Sequence, residues 1–315
     1  MEAIFKSFTT HKRGEQDEDI QDSICINEKN GRFALSDGVS QSFLPRLLAN
    51  ILTETYVSAC EINKFPNVDL AQTFQLRKNT YISLLDEFGV AMQEIAEETF
   101  KKGAATFVGL EIGERLVSWK VIGDSCLFIV PDQGNIQCIC SEKVHVDEKG
   151  KVHVTFGRTP AQIQSDGKIC GNIISGSANR EVGWYILMSD TISDWFIQRY
   201  NNGDNVIQHL FQLESNENFE HYIEEEFKNQ RIGNDDCSVI LIRVDNEEVN
   251  LNMDNDKPNS DYFNNREINE KEISDSSKNN NLFCLREMFS NLLKKIRLKK
   301  SNHNNNDCNE LHNSN

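Results

Sequence analysis

Apolar runs that are each bordered by an aspartate are the feature that most constrains the fold of this chain. Asp22 precedes the run SICIN, Asp37 follows FALS, Asp190 follows WYILMS, and Asp235 lies just before CSVILIRV. A fifth aspartate, Asp124, lies between two further apolar runs. Carboxylates grouped at strand ends are costly to bury unless a positive charge neutralises them. Because divalent cations prefer such oxygen ligands, the pattern predicts a metal site.

The order of the predicted elements favours packed antiparallel sheets flanked by helices over a doubly wound parallel sheet, since strands and helices do not alternate one by one. Apolar and alternating runs predict strands at residues 1–10, 23–27, 32–35, 104–112, 115–122, 125–130, 136–139, 184–188 and 237–244. Helical spacing predicts helices at residues 42–60, 73–102, 192–201, 205–213 and 218–229. Short turns join the strands between residues 104 and 139 and predict an antiparallel meander, whereas residues 141–182 are predicted to be irregular.

Charge and cysteine usage restrict the class of protein. A net charge of −16 argues against a nucleic-acid backbone as the main partner. No apolar segment approaches the roughly 20 residues of a spanning helix, and the first residues lack the apolar core of a signal peptide. The nine cysteines are scattered and contain no CxxC, so we expect reduced cysteines of a cytoplasmic protein rather than zinc ligands.

A change of composition divides the chain into a body and a tail. We predict a folded domain over residues 1–245, a disordered Asn-rich linker over 246–281, a helix over 282–300 and a disordered end over 301–315. The helix has one apolar face and a basic C-terminal end. Two interpretations of it are open: it docks on the body, or it binds a partner or an anionic membrane surface.

The body resembles the PPM-type, metal-dependent Ser/Thr protein phosphatases (type 2C), particularly their bacterial branch. Five strings carry the resemblance, in the family's order, across residues 10–245: QDSICINEKNGRFALSDGVSQS, GAATFVGLEI, VSWKVIGDSCLFIV, WYILMSDTISDW and GNDDCSVILIRV. The resemblance implies an α+β fold with a central antiparallel β-sandwich and helix pairs on both faces. It also implies hydrolysis of phosphomonoesters on a phosphorylated protein substrate by a metal-bridging hydroxide, opposed by a Ser/Thr kinase.

The same resemblance implies a set of metal ligands for two Mg²⁺ or Mn²⁺ ions. These ligands, acting directly or through water, would be Asp22, Asp37, the Gly38 carbonyl, Asp190 and Asp235, and catalysis would proceed through the water activated by the ions of Asp37, Asp190 and Asp235. Asp124 would bind a third, weaker metal. Asp19 is an alternative to Asp22, which we favour because the strand SICIN starts directly after it. Asp236 either supports the ligands or is a solvated loop acid.

Two basic residues and three departures from the family pattern complete the prediction. Arg13 is the candidate for binding substrate phosphate, the alternative being a solvent-facing arginine. His11 is the candidate general acid for the leaving alkoxide, the alternative being a surface histidine. Ser40, Gln41 and Thr191 stand where family members usually have glycine. These departures leave open a second function, a weak or inactive pseudophosphatase that serves as a regulatory binding module.

Overall fold

Two five-stranded antiparallel sheets form the centre of the fold. The computed structural model describes residues 3–42, 45–59, 65–66, 72–73, 103–157 and 159–245. The strands are β1 (Ala3–Thr10), β2 (Ser23–Asn27), β3 (Arg32–Ser36), β4 (Ala104–Ala105), β5 (Phe107–Ile112), β6 (Leu116–Ile122), β7 (Cys126–Pro131), β8 (Gln137–Ile139), β9 (Lys143–Val146), β10 (Val152–Thr155), β11 (Gln162–Gln164), β12 (Ile169–Cys170), β13 (Ile174–Asn179), β14 (Gly183–Met188) and β15 (Cys237–Val244). The α-helices in this part of the chain are α1 (Pro45–Ser58), α2 (Asp190–Asn201), α3 (Val206–Gln212) and α4 (Asn216–Lys228).

The two sheets pack face to face as a sandwich with helices outside. The first sheet has the order β1-β15-β14-β7-β8, and the second has the order β13-β6-β5-β3-β2. Leu35 and Leu110 of the second sheet lie in one hydrophobic core with Ile186 and Leu241 of the first. Helix α1 packs on β2 and β3, while α2 packs on β15 and α4 on β1. The predicted α+β class with a central antiparallel β-sandwich is confirmed.

Strand β15 shows why the apolar runs occupy the centre of this arrangement. It pairs with β1 on one side and β14 on the other, and it is buried at every residue except Arg243. A strand that is covered on both faces needs a continuous apolar sequence, and CSVILIRV supplies one. Its predicted bounds, residues 237–244, agree with the structure.

The predicted antiparallel meander is wrong at its centre, because the chain changes sheets between β6 and β7. Strand β6 pairs with β5 in the second sheet, whereas β7 pairs with β8 in the first. Gly123 makes the crossing with φ +103°, and a Cβ there would lie 2.7 Å from Thr106. The buried hydroxyl of Ser125 then bonds to the Thr106 hydroxyl at 2.8 Å. In sequence the crossing has the composition of a hairpin turn, so the exchange of partners is not visible there.

The prediction that residues 141–182 are irregular is also wrong, because this segment forms the five strands β9 to β13. These strands are short, and the whole of β9 is exposed, so no apolar run marks them in the sequence. Strand β13 extends the second sheet beside β6. Strands β9 and β10 form a separate two-stranded ribbon.

Several predicted segments lie outside the described residues. They are the helix over 73–102 apart from its first residue, the linker over 246–281, the helix over 282–300 and the end over 301–315. In the described part of the chain, no helix combines the length and the apolar character that crossing a bilayer requires.

Candidate metal centre

Asp22 and Asp37 border the same end of the β2–β3 pair. Ser23 is the antiparallel partner of Ser36, so Asp22 and Asp37 each lie one residue beyond that pair. Opposed residues of antiparallel strands are separated by about 5 Å between their Cα atoms. The register therefore brings these two acidic residues together at the open end of the β2–β3 hairpin.

Asp190 and Asp235 lie at the neighbouring ends of β14 and β15 in the other sheet. Asp190 is the first residue of α2, and Asp235 precedes β15 by two residues. The backbone N–H of Ser189 donates to the carbonyl of Ser238 at 3.1 Å, which holds the two strand ends side by side. Asp124 lies on the crossing between the two sheets, directly after Gly123.

Electrostatic effects show that the five aspartates occupy one site. Burial raises the pKa of Asp37 well above its usual value, and Asp22, Asp190, Asp124 and Asp235 each raise it further. Each of these segments is distant in sequence, yet all of the carboxyl groups act on Asp37. The structure therefore brings together the five aspartates singled out in the sequence.

The other carboxyl groups of this cluster are also held away from their ordinary titration range. Burial, followed by repulsion from Asp236 and Asp190, raises the pKa of Asp22 to about 7. Burial and repulsion from Asp190 raise the pKa of Asp124 to about 7 as well. The pKa of Asp235 is raised by burial but lowered in part by the ammonium group of Lys12. Without a cation, the site resists holding five negative charges.

Unsatisfied oxygen atoms test whether a metal ion fits this cluster. Both carboxylate oxygens of Asp22 and Oδ1 of Asp124 are buried without a hydrogen-bond partner. The hydroxyls of Ser189 and Ser238 are near enough to lower the Asp22 pKa, yet neither reaches its oxygens with hydrogen-bonding geometry. Buried carboxylate oxygens that lack a donor are ligands suited to Mg²⁺, Mn²⁺ or Ca²⁺. The donor set therefore fits a hard divalent cation.

The spacing of the aspartates does not form a closed cage for one ion. Among the described residues, no three of these carboxylates place an oxygen each within 4.8 Å of one another. The acidic groups are more widely spaced and come from both sheets.

Gly38 is confined by its packing against the start of α1. A Cβ atom on Gly38 would lie 2.6 Å from the backbone carbon of Pro45, so no other residue fits without a shift of the helix. Gly38 also forms an isolated β-bridge with Ala105. These contacts fix the backbone directly after Asp37, and a role for the Gly38 carbonyl as a ligand stays a prediction.

Asp236 supports the cluster and is not a solvated loop acid. It is 4% exposed, and its Oδ1 and Oδ2 accept the backbone N–H groups of Lys12 and Gln21 at 2.9 and 2.8 Å. Gln21 directly precedes Asp22, so this carboxylate ties the N-terminal loop to the start of β15. The structure thereby decides between the two interpretations of Asp236.

Asp19, the alternative to Asp22, lies outside the cluster. It is exposed, and its carboxylate accepts the Gln16 N–H at 3.2 Å within a short 3₁₀ turn. Asp22, in contrast, is 5% exposed and contributes to the electrostatics of Asp37.

His11 and Arg13 lie on the loop beside the cluster, with their side chains engaged elsewhere. Nε2 of His11 is 3.6 Å from a carboxylate oxygen of Glu220, and its Nδ1 is 3.0 Å from the Lys12 carbonyl. The Arg13 guanidinium lies over the ring of Phe227, 5.5 Å from its centre. The catalytic role of His11 and the phosphate-binding role of Arg13 stay predictions.

Lys12 is the residue near the site that sequence reasoning missed. Its ammonium group lowers the pKa of Asp235 and lies 3.5 Å from Glu15. The signal available in the sequence was a charged loop, HKRGEQDED, in which nothing distinguishes Lys12 from its neighbours. Only the hydrogen bond from the Lys12 backbone to Asp236 reveals its placement.

Comparisons with known proteins give matches among solved structures alone. No protein-family model and no curated protein matches this chain. The serine/threonine phosphatase Stp1 from Staphylococcus aureus is 17% identical, with a TM-score of 0.46 over 78% of this chain and 96% of that protein. The Mycobacterium tuberculosis phosphatase PstP/Ppp is 13% identical, with a TM-score of 0.48 over 78% of this chain and 99% of that one.

A third match is the catalytic domain of the phosphatase PstP in complex with two manganese ions. It is 16% identical, with a TM-score of 0.45 over 78% of this chain and 99% of that domain. All three structures are of serine/threonine phosphatases, the class that the sequence resembles.

Proposed function

We propose that this protein is a metal-dependent phosphatase that hydrolyses phosphomonoesters on Ser or Thr of a phosphorylated protein. The observation that carries the proposal is the convergence of five aspartates from separate segments, of which Asp22 and Asp124 are buried with unsatisfied oxygens and the other three are half-buried. Such a cluster has no evident structural benefit, because each carboxylate raises the pKa of its neighbours and opposes their burial. A function that requires divalent cations explains its presence.

In this proposal Asp22, Asp37, Asp190 and Asp235 would hold two Mg²⁺ or Mn²⁺ ions, and Asp124 would hold a third. When bound, such ions supply an activated water and neutralise the phosphoryl oxygens. The reaction forms a bond from water oxygen to phosphorus and breaks the bond from phosphorus to the Ser or Thr oxygen. That oxygen leaves with a proton, for which His11 is the proposed donor.

The residues of the chain itself perform three tasks. Asp236 fixes the loop that carries Asp22 through the N–H groups of Lys12 and Gln21. Gly38 allows the backbone after Asp37 to pack directly on α1. The backbone N–H of Arg13 donates to Asn234 at 2.8 Å, which holds this arginine beside the loop of Asp235. Its proposed task is to bind the substrate phosphate.

A pseudophosphatase is the second candidate function. Burial raises the pKa of Asp190, and the Thr191 side chain, which a glycine at this position would lack, interacts with that carboxylate and lowers its pKa in part, so it changes the surroundings of a proposed metal ligand. The same fold would then act as a binding module for a partner protein. Turnover distinguishes the two candidates.

The decisive experiment is hydrolysis of a phosphothreonine peptide and of p-nitrophenyl phosphate by the full chain with Mn²⁺. We expect activity that EDTA abolishes, and a loss of at least ~10²-fold in Asp37→Ala, because removal of a metal ligand removes both the nucleophile and charge neutralisation. Asp19→Asn is the matched control and should retain activity, since Asp19 is exposed and outside the cluster. Equal rates in wild type and Asp37→Ala would refute the proposal, and absent turnover with intact Mn²⁺ binding would favour the pseudophosphatase.

A further inference from the structure

Three cysteines at β7 and β8 form a second cluster of potential ligand atoms. Cys126 is the first residue of β7, Cys138 lies in β8, and Cys140 follows the end of β8. Their sulfur atoms all lie within 4.8 Å of one another. Cys126 is fully buried and Cys140 is 6% exposed. Among the described residues, this is the sole group of three or more potential metal-binding side chains with such close spacing.

The backbone register, rather than a chance choice of rotamers, places these sulfurs together. Leu127 pairs with Ile139 across the β7–β8 ladder, so the next opposed positions are Cys126 and Cys140. Side chains two residues apart in a strand share a face, which places Cys138 on the side of Cys140. Opposed and diagonal side chains on one sheet face lie within contact distance. The three ligands come from two strands, so no CxxC motif marks them in the sequence.

The spacing of the three sulfurs allows them to surround one metal ion. Zinc–sulfur bonds of about 2.3 Å place tetrahedrally arranged sulfurs about 3.8 Å apart, and a planar arrangement about 4.0 Å apart. Both separations lie within the limit that the three cysteines satisfy.

We propose that Cys126, Cys138 and Cys140 form a binding site for a soft, thiophilic cation, Zn²⁺ or Cu⁺. Thiolates select such ions, whereas the aspartate cluster offers the hard oxygen ligands that Mg²⁺ and Mn²⁺ prefer. The two sites are adjacent, since the Cys126 thiol donates to the Asp124 carbonyl at 3.2 Å. A metal bound to the Cys126 thiolate would replace the proton of this hydrogen bond, so binding would act directly on the turn that carries Asp124. Binding displaces the thiol protons that remain.

The site is tested by titrating Cd²⁺, a spectroscopic probe for thiolates, into the reduced full chain after removal of bound metal with a chelator. We expect an ultraviolet thiolate-to-cadmium absorption that saturates near one equivalent. The affinity for Cd²⁺ should fall at least ~10-fold in Cys138→Ser, which removes one of the ligands. Cys25→Ser is the matched control and should leave the titration unchanged, because Cys25 belongs to no such cluster in the described structure. Competition with Zn²⁺ in one arm and with Cu⁺ in the other then identifies the preferred ion.

Two controls separate effects on folding and on hydrolysis from effects on metal binding by the cysteines. Circular dichroism of Cys138→Ser verifies the fold, and Cys138→Ala provides a second variant if the serine disturbs the sheet. In both variants Mn²⁺-dependent hydrolysis should persist, since the proposed hydrolytic site uses no sulfur ligand. Absence of hydrolysis in the wild-type protein would count against the proposed function and not against the cysteine site. Absence of the absorption in wild type, or equal Cd²⁺ affinity in wild type and both Cys138 variants, would overturn the assignment and leave three reduced core thiols.

Discussion

Single carboxylates in this protein have opposite roles although they lie side by side. Asp235 raises the pKa of Asp37, whereas its neighbour Asp236 accepts hydrogen bonds from two backbone N–H groups. The first residue belongs to the candidate site and the second to its support.

Asp236→Ala should destabilise the protein by about 1–3 kcal/mol for each backbone N–H left without an acceptor. The affected donors are the N–H groups of Lys12 and Gln21. Urea denaturation of the metal-free protein measures the effect. Asp236→Asn should show a smaller loss, because its amide retains one acceptor oxygen. The exposed Glu148 provides a control, and Glu148→Ala should change stability by no more than about 0.5 kcal/mol. A loss in Asp236→Ala no larger than that of the control would contradict this role.

At the same scale, the sequence predicted which aspartates meet but not how they are supported. Asp22 could be preferred over Asp19 because a strand begins directly after it, and the structure has that strand at Ser23–Asn27. The ligand role of Asp22 stays a prediction. Lys12 could not be predicted, because its position depends on a hydrogen bond to a residue 224 positions away. Long-range contacts of single polar groups leave no periodic pattern in the sequence.

Among the elements, α4 is attached to α2 through one buried carboxylate. Glu226 of α4 accepts a hydrogen bond from Nε1 of Trp195 in α2 at 2.8 Å. The same carboxylate accepts from Arg231, which follows the helix, through both Nε and Nη2. Glu226 is 3% exposed, so these donors take the place of the water molecules that would solvate an exposed carboxylate. Helix α4 covers β1, and its attachment therefore stabilises the outer layer of the first sheet.

Glu226→Ala should lower stability by about 2–3 kcal/mol, because buried donors lose a charged acceptor. Burial alone would raise the Glu226 pKa, but the hydrogen bonds from Arg231 and Trp195 outweigh it and lower that pKa. Its contribution is therefore present above the unfolded-state pKa of 4.5 and disappears as the pH falls through the lower folded-state pKa. Thermal unfolding at pH 7 and pH 3 measures both effects.

The matched control is Glu225→Ala. The exposed Glu225 carboxylate pairs with Lys228, and its removal should change stability far less than Glu226→Ala does. Glu226→Ala should lose more stability at pH 7 than at pH 3. An equal loss at the two pH values would show that the side chain acts through packing alone.

The elements that sequence analysis recovered are those with long apolar runs. Strand β15 and helix α2 were both predicted, because seven buried positions in one case and a helical stripe in the other leave a strong pattern. The five strands from β9 to β13 were missed, since they are two to six residues long and partly exposed. The change of sheets at Gly123 was missed because pairing partners are set by tertiary packing and not by the turn itself.

On the scale of the whole molecule, the acidic site joins the two halves of the sandwich. Asp22 and Asp37 come from strand ends of one sheet, Asp190 and Asp235 from strand ends of the other, and Asp124 from the crossing between them. Without a cation, mutual repulsion at this junction opposes the packing of the sheets. Metal binding and fold stability should therefore be linked.

The metal-free protein should lose stability as the pH rises from about 4 to about 7. The pKa of Asp22 and of Asp124 is about 7 in the folded state against 3.8 for the free side chain, so the folded protein retains protons that the unfolded chain releases. This contribution is complete below pH 3.8 and is lost as the pH passes 7. In EDTA we expect a melting temperature lower at pH 8 than at pH 5 by at least about 4 °C.

Two additions test the origin of that pH dependence. Mn²⁺ at pH 8 should restore the melting temperature, since a cation that binds only the folded state stabilises it. Asp22→Asn should show a smaller decrease between pH 5 and pH 8 than wild type. A variant with the same decrease as wild type would place the effect elsewhere in this acidic chain.

Isothermal titration of Mn²⁺ into the full-length, metal-free protein tests the central claim most directly, because it measures cation binding at the aspartates without requiring turnover. Mn²⁺ is a hard cation, so the cysteine cluster should not compete for it. We predict uptake of about two ions by wild type and by Asp19→Asn, and loss of that uptake in Asp37→Asn. Absence of Mn²⁺ binding to wild type, or equal binding to wild type and Asp37→Asn, would contradict the assignment of this cluster as a metal centre.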